Sequence, residues 1–172
     1  LLDMSVGVDA DKVVSDLVTS GQALWAQYWG PRMEQVLTYA AKTVALINRE
    51  RVARGRADEQ LNVLFINRLL LAGKEERRKY LAVHLPHSRD ADIAELCYWW
   101  STYFDAQTKS FRQEMSSPVL SKINRIGRDV VTRSIFGQPV TTLDLREAIR
   151  RRGIVLVNSG STSVGSDVGA FV

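Results

Sequence analysis

Two glycines near the C-terminal end have the spacing of a phosphate-binding loop. Gly160 and Gly165 enclose four residues, as in the G-x-x-x-x-G-K-[ST] loop. In that loop backbone N–H groups hold phosphates, the lysine reaches the terminal phosphates and the hydroxyl binds magnesium. Here Ser166 and Asp167 follow the second glycine, so the lysine is absent and a carboxylate replaces the hydroxyl. We therefore predict an ordinary turn between a strand and a helix, not a nucleotide site.

The apolar run before this loop resembles the strand of a second nucleotide motif, Walker B, in which four apolar residues end in an acid that positions magnesium. Residues 154–157 are instead followed by Asn158. The run is rich in β-branched residues and lacks polar alternation, which is typical of a strand buried on both faces. We predict a central sheet strand at 154–158 whose partner strands are not evident in this sequence.

Other residues that could do chemistry do not assemble into a recognisable site. His84, His87 and Cys97 are possible metal ligands, but no fourth ligand is evident, so no metal site is predicted. Two pairs of carboxylates fall at expected helix starts, where acids cap free N–H groups, and we interpret them as caps rather than acid–base catalysts. These pairs are Asp9 with Asp11 and Asp90 with Asp92. The sequence thus predicts no catalytic residue and no cofactor site in this chain.

Basic residues are concentrated in two stretches. The chain has a formal net charge of +4, and residues 109–133 carry six basic residues against two acidic ones. Residues 42–56 carry five basic residues against one acidic one. Such runs are usually solvated helix faces, but a basic stripe on a helix also suits the phosphates of a nucleic acid. The candidate nucleic-acid-binding residues are Lys122, Arg125 and Arg128.

The composition is that of a globular chain. Of 172 residues, 45% are hydrophobic and 24% charged, which argues against wholesale disorder. Cys97 is the only cysteine, so an intrachain disulfide is impossible and nothing indicates an oxidising compartment. The sequence shows neither a signal peptide nor a run of about 18 apolar residues. We expect a cytoplasmic location and no membrane span.

Helical periodicity runs through most of the chain, which predicts a mainly α fold. Asp9 is the expected N-cap of a helix over 9–28, and Pro31 opens a second helix that ends near Gly55. Pro118 and Gly127 are expected to divide residues 107–136 into about three short helices. Further helices are expected over 61–72, 73–85, 90–105 and 141–152.

Two of these helices have distinctive compositions. The helix over 90–105 carries Trp99, Trp100 and Phe104 among other large residues, so its aromatic face must be buried in this chain or against a partner protein. The helix over 141–152 starts with a capping-box-like Thr141 and Asp144, ends in three arginines and is expected to stop at Gly153. We expect the arginines to complement the helix dipole rather than to contact DNA.

Three segments resemble the middle of the conjugative coupling-protein ATPases of type IV secretion, within the HerA and FtsK group of hexameric DNA motors. They are WGPRMEQVLTYAAKTVALIN (29–48), SSPVLSKINRI (116–126) and FGQPVTTLDLREAIRRRGIVLVNSGSTSVGSD (136–167). The similarity lies in order as well as content, and the third segment is the most specific. Residues 50–90 match poorly.

The resemblance implies a fragment that lies between the Walker A and Walker B motifs of a RecA-like α/β motor domain. Residues 1–8 would end a preceding motor strand and loop, 9–136 would form a helical insertion subdomain, and 137–172 would return to the motor core with a helix, the strand 154–158 and the start of another helix. The parent protein would bind ATP and magnesium, form a hexamer and move DNA. This fragment alone is expected to be inactive because it contains neither Walker motif.

Two other functions remain open from the sequence. The chain could be a non-enzymatic helical module that recruits relaxosome or secretion partners, which the aromatic helix over 90–105 favours. It could also be a helical nucleic-acid-binding domain that uses Lys122, Arg125 and Arg128. A titration with a polyanion at several salt concentrations separates these functions, because phosphate contacts give a steep salt dependence and a protein-binding surface does not.

Overall fold

The computed structural model describes residues 9–85, 90–128, 130–139 and 145–156. Every regular element within these ranges is a helix, which confirms the predicted mainly α fold. A π-helical segment, Trp99–Phe104, continues α5, and short 3-10 turns lie at Ala26–Tyr28 and Ala57–Glu59. The α-helices are α1 (Ala10–Leu24), α2 (Pro31–Ala53), α3 (Phe65–Leu71), α4 (Lys74–His84), α5 (Ala91–Tyr98), α6 (Lys109–Arg128), α7 (Val130–Phe136) and α8 (Leu145–Arg150).

Helix α2 lies at the centre and packs against α1, α3, α5 and α6. Its start at Pro31 is as predicted, since proline needs no N–H partner in a first helical turn. Its end is set by Gly55, which has φ of +73° and allows the Arg56 N–H to bond the Arg51 carbonyl oxygen at 2.8 Å. Buried residues occur around much of α2, as expected for a helix enclosed by neighbours.

The predicted caps at Asp9 and Asp90 are confirmed. A side-chain oxygen of Asp9 accepts from the Asp11 N–H at 3.1 Å, and one of Asp90 accepts from the Asp92 N–H at 2.9 Å. Each carboxylate thus satisfies an N–H group that has no partner within its helix. These two side chains position the starts of α1 and α5.

The connection between α2 and α3 is held by Asn48, whose side chain is fully buried. Its Nδ2 donates to the Leu61 carbonyl oxygen at 2.8 Å, and its Oδ1 accepts from the Leu61 N–H at 2.6 Å. An amide can satisfy both groups of one peptide in this way. Asn48 therefore replaces water as the partner of a backbone segment that lies against the core.

Pro118 and Gly127 do not break α6, so the prediction of about three short helices over 107–136 is wrong. Lys109–Arg128 is continuous, with Pro118 inside it. Met115, Val119 and Ile123 are buried on either side of the proline, and this packing outweighs the absence of one backbone hydrogen bond. At Gly127 an added Cβ would lie 3.3 Å from the Leu64 side chain, so the glycine permits the close approach of that side chain.

The structure does not show the predicted strand. Residues 154–156 have no strand hydrogen bonds, and Ile154 and Leu156 are 88% and 91% exposed rather than buried on both faces. A strand of that kind needs paired neighbours, and the described ranges contain no strand that could pair with it. Val157 and Asn158 lie outside those ranges, as do Thr141, Asp144 and the 160–165 turn.

No helix in the described part of the chain is both long and apolar enough to cross a membrane. The domain boundaries at residues 8 and 136 stay predictions.

Candidate nucleic-acid interface

The three candidate residues lie on α6 at intervals of three positions. This spacing places Lys122, Arg125 and Arg128 on neighbouring parts of one helix face, about 4.5 Å apart along the axis per step. Arg125 and Arg128 are exposed, and Lys122 is half-buried. Val119, Ile123 and Ile126 pack into the core on the other side of the helix from Arg125 and Arg128. Amphipathic packing of α6 thus directs the two arginines outward and places Lys122 at the edge of the buried side.

Lys122 lies against two aromatic rings from the turn between α1 and α2. Its Nζ is 4.5 Å from the ring centroid of Tyr28 and 5.8 Å from that of Trp25. Both distances are within the range of cation–π attraction. Trp25 is buried, whereas Tyr28 is 64% exposed. Sequence reasoning missed Tyr28; the signal that could have found it is the aromatic cluster WAQYW just before Gly30 and Pro31.

Within the described residues neither Lys122 nor Arg128 forms an ion pair with a carboxylate. The acid on the same helix, Glu114, pairs with Arg32 instead, at 3.0 Å between Nη1 and Oε1. Arg112, which belongs to the same basic stretch, folds back and donates to the Gln107 carbonyl oxygen at 2.6 Å. Lys122 and Arg128 therefore carry positive charge that pairs with no carboxylate in the part of the chain that the structure describes.

The other basic stretch, residues 42–56, is neutralised inside the molecule. Lys42 Nζ is 2.9 Å from an Asp92 oxygen and 3.7 Å from a Glu95 oxygen, both on α5. Partial burial lowers the pKa of Lys42, but the hydrogen bond to Asp92 and the charges of Asp92 and Glu95 outweigh this effect, so the net pKa is raised. Lys42 thus holds α2 to α5 as an ammonium ion.

The arginines of this stretch are engaged in the same way. Arg49 pairs with Asp90, the N-cap of α5. The other three bind groups near the end of α2: Arg51 donates to the Glu59 carbonyl oxygen, Arg54 pairs with Glu50 at 3.5 Å, and Arg56 pairs with Glu59. The positive charges of residues 42–56 therefore have a structural role. The number of basic residues in the sequence did not distinguish this stretch from the one on α6.

The three arginines at the C-terminal end of α8 also have local partners or local roles. Arg150 and Arg151 both pair with Glu147 on α8. Arg152 has φ of +54°, and its N–H bonds the Ile149 carbonyl oxygen at 2.9 Å, while the Gly153 N–H bonds that of Ala148 at 2.8 Å. This is a Schellman ending with Arg152 in the left-handed position. The predicted stop at Gly153 is therefore one residue too late.

The aromatic residues of the helix over 90–105 are mostly covered by this chain itself. Trp99, Trp100 and Phe104 are buried, and the Trp99 ring stacks on Tyr39 with centroids 4.4 Å apart. Trp100 Nε1 donates to Thr43 Oγ1 at 2.9 Å. The sequence left open whether this aromatic face is buried in this chain or against a partner protein. The structure shows that most of it is buried in the core of this chain.

In the part of the chain that the structure describes, no group of three or more histidine, cysteine, aspartate or glutamate side chains could hold a metal ion. His87 lies outside that part. Cys97 is half-buried beside α4, and burial raises the pKa of its thiol. No protein-family model, curated protein or solved structure matches this chain.

Proposed function

We propose that this chain is part of an ATP-driven DNA-translocating motor of a conjugative or type IV secretion-like system, and that the outer face of α6 contacts DNA. The proposal is supported first by the order of the three segments that resemble coupling-protein ATPases. The second support is the charge distribution, in which Arg125 and Arg128 of α6 are exposed and Lys122 is half-buried beside them.

The contrast between the two basic stretches is the observation that carries the assignment of the DNA contact. The cations of residues 42–56 bind carboxylates or carbonyl groups of their own chain, whereas Lys122 and Arg128 pair with no carboxylate among the described residues. A polyanion gains most from cations that have no carboxylate partner. On this ground α6 is the better DNA surface.

The parent protein in this proposal binds ATP and magnesium, acts as a hexamer and hydrolyses ATP, while this chain contributes no catalytic residue. A protein-recruiting module is a weaker alternative, because burial of Trp99, Trp100 and Phe104 removes the feature that favoured it. A nucleic-acid-binding domain outside any motor uses the same α6 face. The motor and the nucleic-acid-binding domain are distinguished by whether DNA stimulates ATP hydrolysis in the intact protein.

The DNA contact is tested by binding to a duplex of random sequence at several salt concentrations. Replacing Lys122, Arg125 and Arg128 together with glutamine should reduce the slope of log affinity against log salt by about 2.7, because each neutralised phosphate contributes about 0.9 to that slope. The matched control replaces residues 150–152 with glutamine, which removes the same charge. Equal slopes in the two triple variants, or no DNA binding by the unaltered chain, would contradict the proposal.

A further inference from the structure

An open groove of about 550 Å³ lies between the α1–α2 turn and α6, and Lys122 contacts Tyr28 in its lining. Its volume is within the range of small-molecule sites. Apolar surfaces on two sides come from Tyr28, Pro31 and Pro118. Arg32 and Glu114 supply its polar groups. A flat ligand with apolar faces and a hydrogen-bonding edge matches this distribution.

The polar pair in the groove retains hydrogen-bonding capacity. Arg32 Nη1 bonds Glu114 Oε1 at 3.0 Å, and the guanidinium lies over the Phe111 ring, 5.2 Å from its centroid. The Glu114 side chain is nevertheless 66% exposed, so its other oxygen can accept from a ligand. Arg32 has further N–H groups that can donate. Donor and acceptor side by side are what the edge of a nucleobase requires.

Tyr28 provides a stacking surface beside these groups. Lys122 Nζ lies 4.5 Å from the centroid of the Tyr28 ring, yet Tyr28 is 64% exposed, so much of the ring is open to a ligand. A base that stacks on the open part would share the ring with the Lys122 cation. Aromatic rings beside a basic track are the usual means by which proteins hold single strands.

We propose that this groove binds one unpaired nucleobase of a nucleic-acid strand that runs along α6. The base stacks on Tyr28 and directs its hydrogen-bonding edge to Arg32 and Glu114. The adjacent phosphates lie against Lys122, Arg125 and Arg128. A paired base cannot enter, because its faces are stacked and its edge is bonded to its partner. This inference rests on the proposed nucleic-acid contact of α6 and adds the part of the strand that the site recognises.

The test compares two fluorescent probes by anisotropy: a deoxycytidine oligomer of about a dozen nucleotides and an abasic strand of the same length. Tyr28→Ala should weaken binding of the deoxycytidine oligomer by about 5- to 150-fold and leave binding of the abasic strand unchanged. Tyr28→Phe should retain the affinity of the unaltered protein, because it keeps the ring. Tyr98→Ala is the matched control, since Tyr98 is 67% exposed elsewhere on the surface.

The outcomes separate this inference from the proposed function. If the unaltered chain binds both strands equally, or if Tyr28→Ala weakens both equally, the base site is refuted while the polyanion contact stands. If neither strand binds, the base site fails, and the duplex titration decides whether the DNA contact of α6 fails with it. A loss confined to the deoxycytidine oligomer, with an unchanged melting temperature, supports the base site.

Discussion

Replacing Arg77 with methionine should destabilise the fold more than most single changes in this chain. The Arg77 side chain is fully buried and pairs with Asp105, whose side chain is only 6% exposed. Its Nη1 also donates to the carbonyl oxygens of Leu69 at 2.6 Å and Ala72 at 3.0 Å. The guanidinium lies 4.9 Å from the Trp100 ring centroid. One side chain thus joins the end of α3 to the end of the π-helical segment.

The expected cost follows from what the variant leaves behind. Removing one partner of a buried ion pair costs about 3–5 kcal/mol, because the remaining charge stays desolvated. Each carbonyl group left without a donor costs a further 1–3 kcal/mol or so, unless water reaches it. These terms are not additive, since the groups share one cavity. We expect the free energy of unfolding to fall by about 4 kcal/mol for Arg77→Met.

Equilibrium unfolding in urea, followed by circular dichroism, measures this change. Arg78→Met is the matched control: Arg78 is the next residue on α4, its side chain is 77% exposed, and its nearest carboxylate oxygen, on Glu75, is 3.8 Å away. The control should lie within about 0.5 kcal/mol of the unaltered protein. Both variants remove one positive charge, so the comparison isolates burial.

A second variant distinguishes the removal of a charge partner from the removal of packing. Arg77→Met combined with Asp105→Leu removes both charges, and replacing a whole buried pair with apolar residues is often close to neutral. The double variant should therefore be more stable than Arg77→Met alone by about 2 kcal/mol. The reasoning is refuted if Arg77→Met costs less than about 1 kcal/mol, or if adding Asp105→Leu lowers stability further.

Three more changes test separate features. Gly55→Ala should lower stability by about 1 kcal/mol in urea unfolding, because a Cβ is disfavoured at φ of +73°. Gly73→Ala should cost less, because φ at Gly73 is −66°. The pKa of His84 is lowered by burial and by Arg51, Arg56 and Arg54, so the folded state binds fewer protons than the unfolded state. Stability should therefore fall as pH falls through about 6.5 toward the lowered pKa, and unfolding midpoints of His84→Gln should depend less on pH; an equal pH dependence would contradict this. The chain should not bind magnesium-ATP in calorimetric titration, because the lysine, hydroxyl and acid of the Walker motifs are missing, and a 1:1 complex of micromolar affinity would show the opposite.

The helix starts were predictable because capping depends on residues only a few positions apart. Asp9 and Asp90 cap groups two positions further along the chain, so their roles follow from short spacing. The stop near Gly55 was predictable for the same reason, since glycine is favoured where φ is positive. Local chemistry of this kind needs no knowledge of the rest of the fold.

Predictions failed, or are not shown by the structure, where distant contacts decide. Pro118 is a helix breaker by its own chemistry, but α6 continues through it because residues on both sides pack into the core. Residues 154–156 have strand-forming side chains, yet a strand exists only with a paired neighbour. The π-helical turn at Trp99–Phe104 was also missed, and the buried pair between Arg77 and Asp105 holds its end.

The two basic stretches show most directly what each level decides. The sequence alone determines that residues 42–56 and 109–133 each have the same surplus of positive charge. It does not reveal that Lys42 binds Asp92, because the two residues are 50 positions apart and meet only when α5 packs on α2. Lys122 lies on a helix whose opposite side is in the core. The fold brings Asp90 and Asp92 to the stretch 42–56, whereas Lys122 and Arg128 pair with no carboxylate among the described residues. The difference arises because electrostatic pairing depends on distance in space rather than along the chain.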